Sequence, residues 1–204
     1  MCDDHGHVHV PRVEAMPADA EWNGEVLPLE PVDELRVLTV CDNTVDILLL
    51  DDGPAKRLPL GGAGREVPMV GAPALEEGKV VDAPLAQHGF SVLVEARKGD
   101  AVHRMLFDTG LTPRGCVDNL HRLGRDPGDI EVIVCSHGHF DHTTGLSGLI
   151  DELGSTDLPV VIHPEFWAHR RLAIPGAEPF ELPTTSRRAL EDAGFDIVEN
   201  RRPS

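Results

Sequence analysis

One stretch, Ser136-His137-Gly138-His139-Phe140-Asp141-His142, limits the folds open to this chain more than any other. It continues directly from IEVIVCS (130–136), an apolar, β-branched run that reads as a short buried strand. Three imidazoles and a carboxylate therefore leave one strand end together. Folding has little use for so many ionisable side chains at the exit of a buried strand, whereas a divalent ion needs just such a set. Imidazole suits zinc, iron and manganese, and the carboxylate adds a harder oxygen donor. The chain must then be one whose strand ends open onto a pocket.

The surrounding pattern supplies that architecture. LRVLTVCD (35–42), FSVLVEAR (90–97), VHRMLFD (102–108) and LPVVIHP (158–164) all read as strands, with Lys98, Gly99 and Asp100 as a hairpin turn between the second and third. Ile47 to Leu50 in VDILLL is expected to pair with the first strand. Thr112 followed by Pro113 predicts a helix start, with Val117, Leu120 and Leu123 buried and Gly124 as the stop. Leu146, Leu149, Ile150 and Leu153 fall on one face of a second helix that ends at Gly154. Weaker helix and strand patterns occupy 185–199. Strands alternating with helices define an α/β domain.

Two segments stand apart. Residues 1–34 hold nine acidic residues, four prolines and one basic residue, Arg12, and are expected to form a disordered acidic arm before a domain spanning 35–204. Residues 51–86, with six Gly and five Pro, read as a long loop or flap. The formal charge of −17 disfavours nucleic acid and anionic membranes as partners, since both are met with Lys and Arg. No signal-like or membrane-length apolar run is present, so a cytoplasmic location and a small-molecule substrate are expected. The four cysteines, with no CxxC pair, read as reduced thiols, and Cys135 as a small buried hydrophobe. The His5, His7, His9 tract reads as an incidental feature of the arm.

The H-x-H-x-D-H loop, preceded by LFDTG (106–110), resembles the metallo-β-lactamase-fold superfamily. With CDNTVD (41–46) and QHGFSVLVE (87–95), the pattern is most similar to the branch of dihydropterin ribofuranosyl-aminobenzene phosphate synthase. The resemblance implies an αββα sandwich, of which this chain would hold the N-terminal half to two thirds. It assigns His137 and His139 to one metal, Asp141 and His142 to a second, and to Asp141 the orientation of an attacking water. The implied cofactor is zinc, one or two ions, with iron or manganese as alternatives. Asp108 is placed beside a ligand imidazole or bound water, although a turn-forming Asp before Thr109-Gly110 explains it equally. Asn43 and His88 match positions near the pocket and are candidates for substrate contact, with turn and strand-end roles as the alternative. Relatives add a His, a bridging Asp and a final His downstream, while here only His163 and His169 follow His142. Three outcomes are therefore carried forward: a metallohydrolase, a pterin-linked transferase that displaces diphosphate, and a truncated, non-catalytic metal-binding chain. A homo-oligomer or a completing chain is the protein partner expected.

Overall fold

A computed structural model describes residues 30–57 and 67–201. The acidic arm, the His5, His7, His9 tract and Cys2 thus lie outside the described residues, as does the middle of the Gly/Pro-rich loop.

Six strands form the main sheet: β1 (Glu34–Cys41), β4 (Ser91–Lys98), β5 (Ala101–Phe107), β6 (Val132–Val134), β7 (Pro159–Ile162) and β10 (Asp196–Glu199), in the order β1-β4-β5-β6-β7-β10. The first three are antiparallel neighbours, and β5, β6, β7 and β10 run parallel. Ile47 to Leu50 does not pair. Those residues are exposed and carry no strand, and the chain around them closes on itself through Arg57 bonds to Asp51 and Leu50. Within the expected 51–86 loop, a small hairpin of β2 (Met69–Gly71) and β3 (Lys79–Val81) forms instead of uniform coil. A second hairpin pairs β8 (Arg171–Leu172) with β9 (Phe180–Glu181).

Helices cover one face of the sheet. α1 (Gly115–Arg122) starts three residues later than Thr112 suggests, because Thr112 N and Oγ1 both donate to the Gln87 side chain instead of capping the helix. α3 (Leu146–Leu153) ends at Gly154 as its periodicity predicts, with Leu146 and Leu149 buried. α2 (Phe140–Thr143) is a single turn, and α4 (Arg187–Asp192) is capped by Ser186. Register aligns Leu38, Leu93, Leu106, Ile133, Val160 and Ile197 beneath these helices, joining Val117, Leu120, Leu149 and Leu190 in one core. The opposite face carries Val37, Val94, Met105, Val132, Val134 and Val161, which are half-buried or exposed. Of the sandwich implied by the sequence, the described residues therefore form one sheet and the helical layer on one side of it.

A row of charge crosses the helix-covered face. Register sets Arg36 and Arg104 on either side of Glu95, and Arg125 approaches from beyond α1. The Glu95 carboxylate, only 8% exposed, lies 3.1 Å from both Arg104 Nε and Arg125 Nη2 and 3.5 Å from Arg36 Nη1. Burial pushes the carboxyl up, but hydrogen bonds and charge from Arg104 and Arg125 outweigh it and leave its pKa below the ordinary value. The unfolded chain then binds this proton more tightly than the folded one, so the stabilisation is full at neutral pH and fades as pH falls through the carboxylate range. Glu95→Gln is predicted to cost about 2–3 kcal/mol at neutral pH, discounted for the partial exposure of the arginines. Urea titrations should show that difference shrinking below about pH 4.

Candidate metal centre

The carboxyl ends of β5 and β6 build the site, the edge where parallel sheets generally place ligands. Asp108 follows β5 with φ of 55°, a left-handed conformation that short polar residues tolerate and that often marks functional loops. Its N–H donates to Val134 O at 2.9 Å, which aims the carboxylate across at the exit of β6. There Asp108 Oδ1 accepts from Ser136 N at 2.8 Å, and Oδ2 accepts from Ser136 Oγ at 2.7 Å and contacts His142 Nδ1 at 2.8 Å. Thr109 donates from N and Oγ1 to the His142 carbonyl at 2.8 and 3.1 Å, fixing the backbone of the same residue. Asp108 thus turns the chain after β5 and, from the same position, contacts the His142 imidazole.

The histidines follow from that anchor. Ser136 Oγ lies 2.9 Å from His137 Nδ1, and His137 Nε2 lies 2.9 Å from His139 Nδ1. The His137 ring is 4.5 Å from that of His139 and 4.4 Å from that of His142 between centroids. Burial, and then the neighbouring His142 and His139 rings, hold the His137 pKa below its ordinary value, favouring the neutral form that metals bind. Asp141 Oδ2 stands 3.5 Å from His142 Nε2 and 3.4 Å from His88 Nε2. All four residues of the motif, with Asp108, are brought together, and His88 reaches them. Asn43 is exposed, with its N–H on Asp42, and none of its side-chain bonds touches the histidine loop. His163 Nδ1 instead accepts from Glu165 N as the cap of a short 3-10 turn.

Among the described residues, no three His, Cys, Asp or Glu side chains already surround a common point as an ion requires. The donor set nonetheless fits a zinc-type ion in kind, with imidazoles and a carboxylate in mutual contact. Two donors of a tetrahedral zinc lie about 3.3 Å apart. The His137–His139 pair, at 2.9 Å, is closer than that because it is a hydrogen bond.

Three positioning residues carried no sequence signal strong enough to single them out. Ser136 links Asp108 to His137. Arg170 donates from Nη1 to the carbonyls of Gly138, Phe166 and Ala168 and staples the histidine loop to the turn after β7. Gly138 permits that contact, since a Cβ there would sit 2.2 Å from Phe166 O. Gln87 is the third, clamping the segment before β4. Cys41 and Cys116, both buried and free, interact beneath it, while Cys135 is a buried thiol whose pKa burial and the Asp108 charge push up.

The family model of the metallo-beta-lactamase superfamily matches residues 86–200, the span that contains Gln87, His88, Asp108, the H-x-H-x-D-H loop and Arg170. The chain belongs to that superfamily. It is similar to the 7,8-dihydropterin-6-methyl-4-(beta-D-ribofuranosyl)-aminobenzene-5'-phosphate synthase of Methanocaldococcus jannaschii, 37% identical over 82 residues. That alignment covers 40% of this chain and 28% of the relative. An uncharacterized protein of the same organism is 42% identical over 66 residues, which is 32% of this chain and 24% of that one. Among solved structures, the Rm3 metallo-beta-lactamase aligns with a TM-score of 0.37 and 21% identity, covering 59% of this chain and 42% of that enzyme. The matched region therefore spans about a quarter of the length of the curated relatives.

Asp108 is 1% exposed and accepts from Ser136 N and Oγ while contacting His142 Nδ1, so Asp108→Ala strips three polar atoms of their partner. The expected loss is about 2–3 kcal/mol in denaturant unfolding. Faster amide exchange at Ser136 and across α2 should accompany it.

Proposed function

We propose that the protein is a metal-dependent hydrolase of a small molecule, holding one or two divalent ions through His137, His139, Asp141 and His142. The observation that carries this reading is the Asp108 carboxylate, buried and aimed at both Ser136 and His142, so that the motif is anchored from within the fold. Zinc suits the donors best, and iron or manganese would also be accepted. When bound, such an ion supplies Lewis acidity, polarising a substrate oxygen and acidifying water. The chain's own residues do the positioning. Asp108 engages His142 Nδ1 and leaves Nε2 turned toward Asp141, and Ser136 does the same for His137, leaving Nε2 toward His139. Asp141, half-buried with Oδ2 facing His88 and His142, is the carboxylate placed to orient an attacking water. A small-molecule substrate accords with the charge of −17, which offers phosphodiester polymers no basic track.

A second reading is favoured by the likeness to the pterin-linked synthase over 82 residues. In that case the site would stabilise departing diphosphate while a pterin is transferred. Assays on generic phosphodiesters, thioesters and lactams, beside diphosphate release from a dihydropterin diphosphate, separate the two. The third outcome, a non-catalytic metal-binding chain, is met when metal is bound and none of these substrates turns over. Elemental analysis of untagged protein is expected to find stoichiometric zinc, iron or manganese, falling at least tenfold in His139→Ala. Asp141→Ala should abolish turnover, and absence of metal from the wild-type protein overturns the reading.

A further inference from the structure

His88 is set in place by an arrangement larger than a surface histidine needs. Gln87 before it makes four side-chain hydrogen bonds. Its Oε1 accepts from Leu111 N at 3.2 Å, Thr112 N at 2.8 Å and Thr112 Oγ1 at 2.9 Å, and its Nε2 donates to the buried Cys41 Sγ at 2.9 Å. The Gln87 N–H adds a bond to Asp42 O at 3.0 Å. On the other side, Gly89 adopts φ of 105°, and a Cβ there would fall 2.0 Å from the Asp141 carbonyl oxygen. Only glycine lets the chain lie directly on the backbone of the motif at that point. His88 is thus pinned between a clamp to β1 and α1 and a close backbone contact with Asp141.

Its imidazole is 68% exposed, with Nε2 3.4 Å from Asp141 Oδ2. The same oxygen is 3.5 Å from His142 Nε2. Both separations exceed the roughly 2.7–3.2 Å of a good N–H···O bond and approach the separation of about 3.3 Å between two donors of one tetrahedral zinc. An exposed His-carboxylate pair is worth about 1 kcal/mol or less, too little to account for a four-bond clamp and an obligatory glycine. Other histidines are committed elsewhere: His103 pairs with Glu131 at 2.8 Å, His121 with Glu152 at 2.9 Å, and His163 caps its turn.

We propose that His88 is a metal ligand, supplying a third protein donor beside Asp141 and His142. This rests on the reading above that the H-x-H-x-D-H loop binds metal. It gives the Asp141 half of the site a donor from upstream in the chain, where relatives are expected to use one from downstream. Gln87 is the residue that positions it.

The test is metal affinity and spectroscopy of the untagged full chain. Competition titrations with zinc should show His88→Ala weakening one site at least tenfold, His139→Ala weakening the other, and Gln87→Ala giving a smaller loss of about threefold. In cobalt-loaded protein, His88→Ala should change the ligand-field spectrum and remove one hyperfine-shifted imidazole N–H signal. The metal-free melting temperature should stay at the wild-type value, because the side chain is exposed. Unchanged affinities and an unchanged cobalt spectrum in His88→Ala overturn this proposal and leave the metal reading intact. A fall in metal-free melting temperature with affinities unaltered assigns His88 a structural role and also overturns it. Should the wild-type protein bind no metal that depends on His139, both readings fall together.

Discussion

The contact on which the rest of the site depends is the bridge from Asp108 at the end of β5 to Ser136 at the end of β6. These neighbouring parallel strands leave their two exit loops side by side, and this carboxylate with its serine partner, helped by Thr109 on the His142 carbonyl, ties one loop to the other. Because Oδ2 also meets His142 Nδ1, a single buried charge sets the direction of the loop and the presentation of one imidazole. The positive φ at Asp108 is the conformational cost of turning the carboxylate that way, offset by three polar contacts in a nearly dry environment.

β5 also separates the two charged centres of the molecule. Arg104, within the strand, belongs to the Glu95 cluster that crosses β1, β4 and β5, whereas Asp108 lies just past its carboxyl end. Between them Leu106 is fully buried and aligned with Leu93 and Ile133. One ion cluster thus secures the sheet against the region beyond α1, and the other holds the histidine loop at the rim, with an apolar layer between them. A carboxylate so placed at the rim can face a ligand while the far cluster keeps its charges paired.

How much of this was legible in the sequence follows from the range of the interactions. Period and turn chemistry are local, so the strands of the main sheet, the Leu146–Leu153 helix and its Gly154 stop could be read directly, and the four ionisable residues of the motif are indeed gathered at one strand end. Ile47 to Leu50 misled because an apolar run records composition, while pairing depends on an available strand edge, and the neighbour of β1 proved to be β4. Thr112 looked like a helix cap since nothing local reveals that Gln87, 25 residues earlier, takes both of its donors. Arg170 was opaque for the same reason: its role is to bond three carbonyls assembled only when the turn after β7 meets the histidine loop.

The two halves of the motif differ in their internal contacts: His137 and His139 are hydrogen-bonded to each other, whereas Asp141 stands farther from His142 and His88. A contact of 2.9 Å between His137 Nε2 and His139 Nδ1 needs a proton between the nitrogens, whereas coordination uses the lone pair of each. Loading that pair forfeits a hydrogen bond and moves the nitrogens apart by about 0.4 Å. Asp141 with His142, and Asp141 with His88, already stand at 3.5 and 3.4 Å, and neither contact is a hydrogen bond that has to be broken. His139 is an exposed side chain held by its contact with His137, while Asp108 and Thr109 hold His142 and the Gln87 clamp precedes His88. Rigidity is therefore concentrated at the base of the loop, around Asp108, Thr109 and Gln87, while the His139 imidazole at its tip is exposed.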